Sequence, residues 1–353
     1  MKILIIKVSA LGDVVHTLPV LPYIHSSSAE CEIDWLVEES FAALLDGHPL
    51  INNVIPIQTK RWRQLSLLSM LAEVWKFTQR LRQKKYDLVF DLQGNSKSGL
   101  FTLLSRAQKK YGFTRAEVRE WPNLLATNHK VTLLPAEHHV SQRSMAVVRS
   151  ALPHGVCPSS CGPLQVMPEA AEHVERQLHQ LHLERRRLVV LHYGTTWHTK
   201  LWSVENWQQL AQFLVTRTNM LPILTWGNDQ ELQAAQSIAD ATKGQAVVWP
   251  RGSIPELVAL LKRVQLVVGC DTGPVHIAAA VGTPTVSLFR VTDALRNGPV
   301  GEMHCCLQAP MSCSPCLRKQ CPDDDKCAAS ITAEEVFQAI VSLLEQPAAH
   351  PAN

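Results

Sequence analysis

The segment Ile3-Leu4-Ile5-Ile6-Lys7-Val8, followed by the turn Ala10-Leu11-Gly12-Asp13, constrains the fold more than any other feature. An apolar run without alternation suits a strand covered on both faces, which is the habit of parallel sheets. The same cadence returns in YDLVFDLQG (86–94), LVVLHYG (188–194), LPILTWG (221–227) and QLVVGCDTG (265–273), each ending in glycine. Between these runs lie stretches of helical period, among them 62–83, 169–183 and 204–217. Strand and helix in alternation predict α/β architecture with doubly wound parallel sheets, whose ligands sit at the carboxyl ends of the strands.

The remaining elements follow that rhythm. VVHTLPVLPYIHSS reads as a helix interrupted by Pro19 and Pro22, EIDWLVE (32–38) and NVIPI (53–57) as strands, and Phe41–Leu45 as a short helix. The second half continues through the helix ELQAAQSIADAT, the strand QAVVWP and the helix IPELVALLKR. After PVHIAAAVG, another helix, PTVSLF is expected to be the last strand. TAEEVFQAIVSLLEQ (332–346) is a final amphipathic helix, with Thr332 and Glu335 spaced as a capping box. Residues 152–168 are rich in Pro, Ser and Gly and lack periodicity, so the interdomain linker is placed there. Two domains, 1–165 and 166–330, with a terminal helix and tail at 331–353, suit a chain of 353 residues.

Apolar residues make up 46% and charged residues 18% of the chain, a globular balance. No stretch approaches the ~20 uninterrupted apolar residues of a membrane span. The first apolar run meets Lys7 and a Gly-Asp turn where a signal peptide would carry its cleavage site, so a buried strand and a cytoplasmic location are expected. The net charge of +3 is unevenly spread: Lys60–Lys130 holds fifteen Lys or Arg against five Asp or Glu. Such an excess attracts anionic partners unless it is simply a solvated face. Of the ten cysteines, Cys31, Cys157, Cys161, Cys270, Cys305 and Cys306 show no ligand spacing and read as free thiols. Cys313, Cys316, Cys321 and Cys327 form a C-x2-C-x4-C-x5-C run. A structural zinc is one reading of it, but the second pair lacks the C-x2-C knuckle, and free thiols or a local disulfide are the favoured alternatives.

The strand-end polar residues carry the candidate chemistry. In Asp271-Thr272-Gly273-Pro274-Val275-His276 a strand passes into a helix whose first N–H groups suit a diphosphate, and proline opens a helix without loss of a bond. After the strand at 188–194 come Thr195 and Thr196, then Lys200, a cation able to neutralise phosphate or leaving-group charge. Glu231 offers a carboxylate to ribose hydroxyls, or is a plain first-turn helix acid. In the first half the corresponding groups are Ser9, Gly12, Asp13 and His16. Gly12 is expected to let the turn bend sharply. Asp13 is either a base for an attacking hydroxyl or a helix cap; His16 either orients a phosphate or packs on the helix. No G-x-G-x-x-G follows a strand, and no Walker motif or G-x-S-x-G elbow occurs, which removes support from hydride transfer, ATP hydrolysis and serine-hydrolase chemistry. No D-x-D pair at a strand end suggests a metal clamp on a diphosphate.

KVSALGDVVHTLP, IDWLVEE, TKRWR, DLQG-x-x-KS, TTWHTKLWSVENW and GCDTGPVHIAAAVGTPTVSLF occur in that order over residues 1–345. Together they resemble the bacterial ADP-heptose:lipopolysaccharide heptosyltransferases, glycosyltransferase family 9. The resemblance implies a GT-B fold, two Rossmann-like domains facing a cleft, and inverting transfer of heptose to the Kdo or heptosyl-Kdo inner core of lipid A. It implies Asp13 as catalytic base and Thr195, Thr196, Lys200, Glu231, Asp271, Thr272, Gly273 and His276 as donor contacts. Ser9, Gly12, His16, Lys60, Arg61, Arg63 and Arg119 fall on the acceptor side. No metal or other cofactor is implied as obligatory, and no nucleic-acid partner. The basic stretch Trp62–Lys85, with Trp75 and Phe77, is expected to rest on the anionic inner face of the inner membrane. IDWLVEE and KRWR resemble the members that add the first heptose, and the cysteine run resembles those that add the second. The competing readings are another GT-B nucleotide-sugar enzyme, including a sugar-nucleotide epimerase, and a non-catalytic membrane- or zinc-binding module.

Overall fold

The computed structural model describes residues 1–157 and 164–345; Cys161 lies outside them. The chain divides into two compact units, Met1–Gln165 and Val166–Asn353. In the first, six strands run parallel: β1 (Lys2–Ile6), β2 (Glu32–Glu38), β3 (Asn53–Ile57), β4 (Lys85–Asp91), β5 (Arg106–Phe113) and β6 (His129–Val131), in the order β3-β2-β1-β4-β5-β6. The second repeats this plan with β7 (Arg187–His192), β8 (Met220–Thr225), β9 (Val247–Val248), β10 (Leu266–Cys270), β11 (Thr285–Phe289) and β12 (His304–Gln308). Its order, β9-β8-β7-β10-β11-β12, is the same arrangement. Each is the 3-2-1-4-5-6 order of a Rossmann-like sheet, as expected from the strand cadence. The order reverses between β1 and β4 in one unit and between β7 and β10 in the other. Crevices open at those two places, beyond the carboxyl ends of the strands.

The central strands are buried beyond their first residue: Ile3, Leu4, Ile5 and Ile6 of β1 and Leu188 to Leu191 of β7 have no exposed surface. Each such aliphatic side chain contributes roughly 1.5–3 kcal/mol when fully buried. Three strands were not foreseen. β5, β6 and β12 lie toward the sheet margins, and β5 and β12 carry Arg, Lys, His and Cys where the inner strands are aliphatic. PTVSLF is therefore not the last strand; HCCLQ at 304–308 is.

Helix ends follow local chemistry. The first helical stretch splits into Leu11–Val15 and Val20–Ser27. Pro19 forms the break, while Pro22 sits in the first turn of the second helix, where its missing N–H costs no bond. The basic amphipathic stretch splits into Thr59–Trp62 and Leu67–Leu81, the latter capped by Ser66, whose hydroxyl accepts from the Ser69 N–H. The expected box on the final helix, Ala333–Glu345, is present: Thr332 N–H donates to Glu335 (2.7 Å) and Glu335 N–H to the Thr332 hydroxyl (3.2 Å). Val336, Phe337 and Ile340 of this helix enter the core of the second unit, so it belongs to that unit and is not an appendage. Asp324–Glu345 is long and apolar enough to pass for a membrane span by length and composition. It is two separate helices, and the longer has 13 residues, about 20 Å, against the ~30 Å of a bilayer core.

Candidate functional site

In the second unit the crevice between β7 and β10 gathers most of the expected donor residues. The backbone leaves β7 at His192, passes Gly194, Thr195 and Thr196, and makes one helical turn at His198–Lys200. It brings the Lys200 ammonium to 2.6 Å from the Asp271 carboxylate, just past the end of β10. The other Asp271 oxygen lies 3.1 Å from His276 Nε2, so the ring nitrogen facing it carries the proton. Burial by itself would raise the Asp271 pKa; the hydrogen bond and charge of His276 and the charge of Lys200 outweigh it and hold the carboxyl well below the usual range. The helix Gly273–Ala280 begins one residue ahead of Pro274, which takes its second position. Its close seat over β10 depends on Gly269, where a Cβ would come within 2.6 Å of Val275. The first-turn N–H groups of this helix have no carbonyl within it and point positive charge at the crevice.

A pocket of about 390 Å³ adjoins these residues, lined by Thr195, Thr196, Glu231 and Thr272 among others. Glu231 accepts from the Gly227 N–H (2.7 Å) and the Asn228 amide (2.8 Å), while Asn228 caps its helix in return. Glu231 is therefore both the first-turn acid and a pocket wall. Its carboxylate fills the space a Cβ on Gly194 would need, 2.3 Å away. The far wall escaped the sequence reading: Trp226, whose ring nitrogen donates to the Trp249 carbonyl (2.9 Å), with Arg251 over its ring and Ser253 opening the next helix. His192 also lines the pocket, buried, with Nδ1 2.9 Å from Thr225 Oγ1. Burial lowers its pKa to about 4, so at neutral pH it presents an uncharged ring.

The cysteine run acts as a buttress for the Lys200 loop. The Arg318 carbonyl accepts from the Thr199 hydroxyl (2.7 Å), and the buried Arg290 joins the Leu201 carbonyl to Asp324, whose other oxygen meets His198 at 3.1 Å. Among the described residues no group of three or more His, Cys, Asp or Glu is gathered to hold a metal. Cys313, Cys316, Cys321 and Cys327 are free thiols, and Cys327 is buried in the core. The local disulfide weighed for this run is thus absent. Cys31, Cys157, Cys270, Cys305 and Cys306 are free as well.

In the first unit the crevice between β1 and β4 holds Asp13. Gly12 is not a turn glycine: it lies inside the helix Leu11–Val15, without positive φ, and its carbonyl accepts from the His16 N–H. Asp13 occupies the third position of that helix and accepts from the Ala10 N–H (3.3 Å), as a cap would. It also meets Arg119 at 3.7 Å and remains 29% exposed at its side chain. Capping and chemistry are thus compatible at this residue. Arg119 reaches it because Gly94, at φ 73°, turns the chain after β4 and accepts the N–H groups of both Arg119 and Glu120. Gln93 Oε1 accepts from Val8 and Ser9 (3.1 Å each), fixing the strand exit that leads to Asp13. His16 stands edge-on to His139 at 5.1 Å.

Lys60 and Arg61 lie in the helix Thr59–Trp62, with Arg63 as its C-cap, and all three are exposed. Arg61 donates to Gln58 (3.1 Å). Beside them Lys97 donates to Thr59 (2.9 Å) and faces Glu38 at 3.7 Å. Neither Lys97 nor Glu38 was among the expected site residues; Glu38 closes β2 and Lys97 stands in the first turn of the helix Ser96–Leu104 that follows β4, which was the available signal. Phe77, expected on the membrane side, points inward instead, 5.7 Å from Trp62 and 5.4 Å from Phe101.

Comparison with known proteins agrees with this layout. Residues 74–326 match the model of glycosyltransferase family 9 (heptosyltransferase). The lipopolysaccharide heptosyltransferase 1 of Pseudomonas aeruginosa is 34% identical over 324 residues, covering 91% of this chain and 87% of that protein. Its namesake from Escherichia coli K12 is 29% identical and covers 88% and 94%. The solved E. coli heptosyltransferase WaaC with ADP superposes with a TM-score of 0.79 at 28% identity, over 97% of this chain and all of that one. Two Rossmann-like parallel sheets of GT-B type, a phosphate-ready crevice and this likeness along nearly the whole length agree: the chain is a glycosyltransferase and belongs to glycosyltransferase family 9.

Proposed function

We propose that this enzyme moves heptose from ADP-L-glycero-β-D-manno-heptose to the Kdo of the lipopolysaccharide inner core, with inversion at the anomeric carbon. The observation that carries the reading is the Lys200–Asp271–His276 cluster beside a pocket of about 390 Å³, in a family 9 chain. A nucleoside diphosphate brings the anionic charge that Lys200 and the Gly273 helix end are arranged to receive. The solved WaaC with ADP-2-deoxy-2-fluoro heptose, 28% identical, supports the choice of donor.

Asp13 takes the proton of the acceptor hydroxyl as its oxygen attacks the anomeric carbon. The bond from that carbon to the diphosphate oxygen breaks, and ADP leaves with its charge met by Lys200, Thr195, Thr196 and the Thr272–Gly273 backbone. Arg119, 3.7 Å from the Asp13 carboxylate, offers the acceptor's carboxylates or phosphates a cationic seat together with Lys60, Arg61 and Arg63. In this reading side chains and backbone dipoles neutralise the diphosphate and no metal is needed, so a chelator leaves turnover unchanged. The acceptor is lipid-linked, which assigns the enzyme to the inner face of the inner membrane as a peripheral protein. Heptosyltransferase 1 proteins at 34% and 31% identity favour addition of the first heptose.

The test is mass-spectrometric detection of transfer to Kdo-lipid A, compared with the same acceptor already bearing one heptose. Product on the first acceptor alone is expected; product on neither would sink the reading. Asp13→Ala should retain ADP-sugar binding and lose about 10²–10⁴-fold in turnover. Undiminished turnover would exclude Asp13 as the base.

A further inference from the structure

Three helices on one side of the first sheet present apolar outer faces to solvent. Leu67–Leu81, Ser96–Leu104 and the short 3-10 helix Trp121–Leu125 lie in the crossovers β3→β4, β4→β5 and β5→β6. Right-handed crossovers place all three on the same face, and Ser96–Leu104 packs against both of the others. Inward, Phe77 and Phe101 seal the first pair at 5.4 Å. Outward, Leu68 is 81% exposed and Trp75 64%, with Leu67 and Leu71 beside them on the same arc. Leu103 and Trp121 continue the surface on the neighbouring helices. Eight of the sixteen exposed large hydrophobics among the described residues stand on these three helices. A concentration of that kind marks an interaction surface rather than scattered surface apolar residues.

The charge of the segment that builds it points to the occupant. The segment Lys60–Lys130 that contains all three helices carries fifteen Lys or Arg against five Asp or Glu. Two copies meeting through this face would oppose like charges, whereas an anionic lipid surface neutralises them. Exposed tryptophan beside leucine suits the boundary between headgroups and acyl chains. We propose that this face docks the enzyme on an anionic bilayer, with Leu67, Leu68, Leu71 and Trp75 entering the headgroup–acyl boundary and the flanking Lys and Arg residues holding anionic headgroups. The inference deepens the proposed function and rests on its lipid-linked acceptor. Lys60 and Arg61, on the acceptor side in that reading, stand one short loop ahead of the inserted helix.

The full-length protein is sedimented with vesicles of phosphatidylethanolamine and phosphatidylglycerol, and with vesicles of phosphatidylcholine alone. Binding to the anionic vesicles, with a blue shift of tryptophan emission, is expected. Leu68→Glu combined with Leu71→Glu should weaken that binding tenfold or more, while transfer to a deacylated acceptor in solution keeps its rate. Both substitutions lie on solvent-facing positions, and unchanged ADP binding reports that the fold is intact. Equal vesicle binding by the double variant, or no binding by the parent, overturns the proposal. So does a dimer of the parent chain that the double variant dissociates, since the face would then belong to a second copy. Failure of transfer to every acceptor, with vesicle binding still lost in the double variant, overturns the proposed acceptor and leaves the docking face supported.

Discussion

At the scale of single residues, His192 shows how a pocket wall becomes a pH sensor of stability. Its ring is enclosed, and burial lowers its pKa to about 4, below the ~6.5 of a free imidazole. Between those values the unfolded chain binds a proton that the folded chain refuses. The stability tied to the neutral ring is therefore complete above about pH 6.5 and is lost as the pH falls through 4. The full effect is on the order of 3 kcal/mol. Replacing His192 with Gln should flatten the fall in unfolding free energy across that window, read from urea titrations at stepped pH; an unchanged slope would refute the assignment. His304, also lowered to about 4 by burial, contributes to what remains. Asp271, directly after an apolar run, and Asp13 and Lys200, in the loops that follow one, stood out as strand-end candidates. For Asp13 the residues alone left base and helix cap level, and the resemblance separated them. His192 did not stand out, because a histidine closing a buried strand reads as core. Arg119 was legible only through resemblance: its approach to Asp13 depends on the backbone turn at Gly94, 25 positions earlier, and no local pattern encodes that.

At the scale of elements, the turn after β7 and the helix after β8 interlock. Gly194 has no side chain where the Glu231 carboxylate lies, and that carboxylate is itself held by the Gly227 N–H. Gly194→Ala should push Glu231 off its hydrogen bonds and raise the KM for donor several-fold with a smaller change in kcat, since the displaced group is remote from the bond that breaks. A fall in kcat alone would place Glu231 elsewhere in the reaction. Inner strands were readable because burial on both faces forces aliphatic runs. β5, β6 and β12 were missed for the converse reason. β5 is RAQKKYGF, half-exposed, and β12 sits at an edge with only partial cover, so neither shows the pattern that burial imposes. Helix breaks at Pro19 and near Ser66 fell where chemistry demands them, at a proline and at a hydroxyl cap.

At the scale of the whole molecule, two units of the same strand order each carry their own buried core. Denaturant unfolding should show two transitions, and saturating ADP-sugar should displace only the one belonging to residues after Val166. A single transition moved as a whole would show that the units unfold together. All residues lining the nucleotide-sized pocket fall between Gln177 and Pro274, and none comes from the first sheet. In the proposed reading the donor's mould is thus written, His276 included, on one contiguous length of chain that can be revised or exchanged in one step. On that reading, inheritance can alter what the enzyme accepts as its sugar source while the text for the other sheet is copied unchanged.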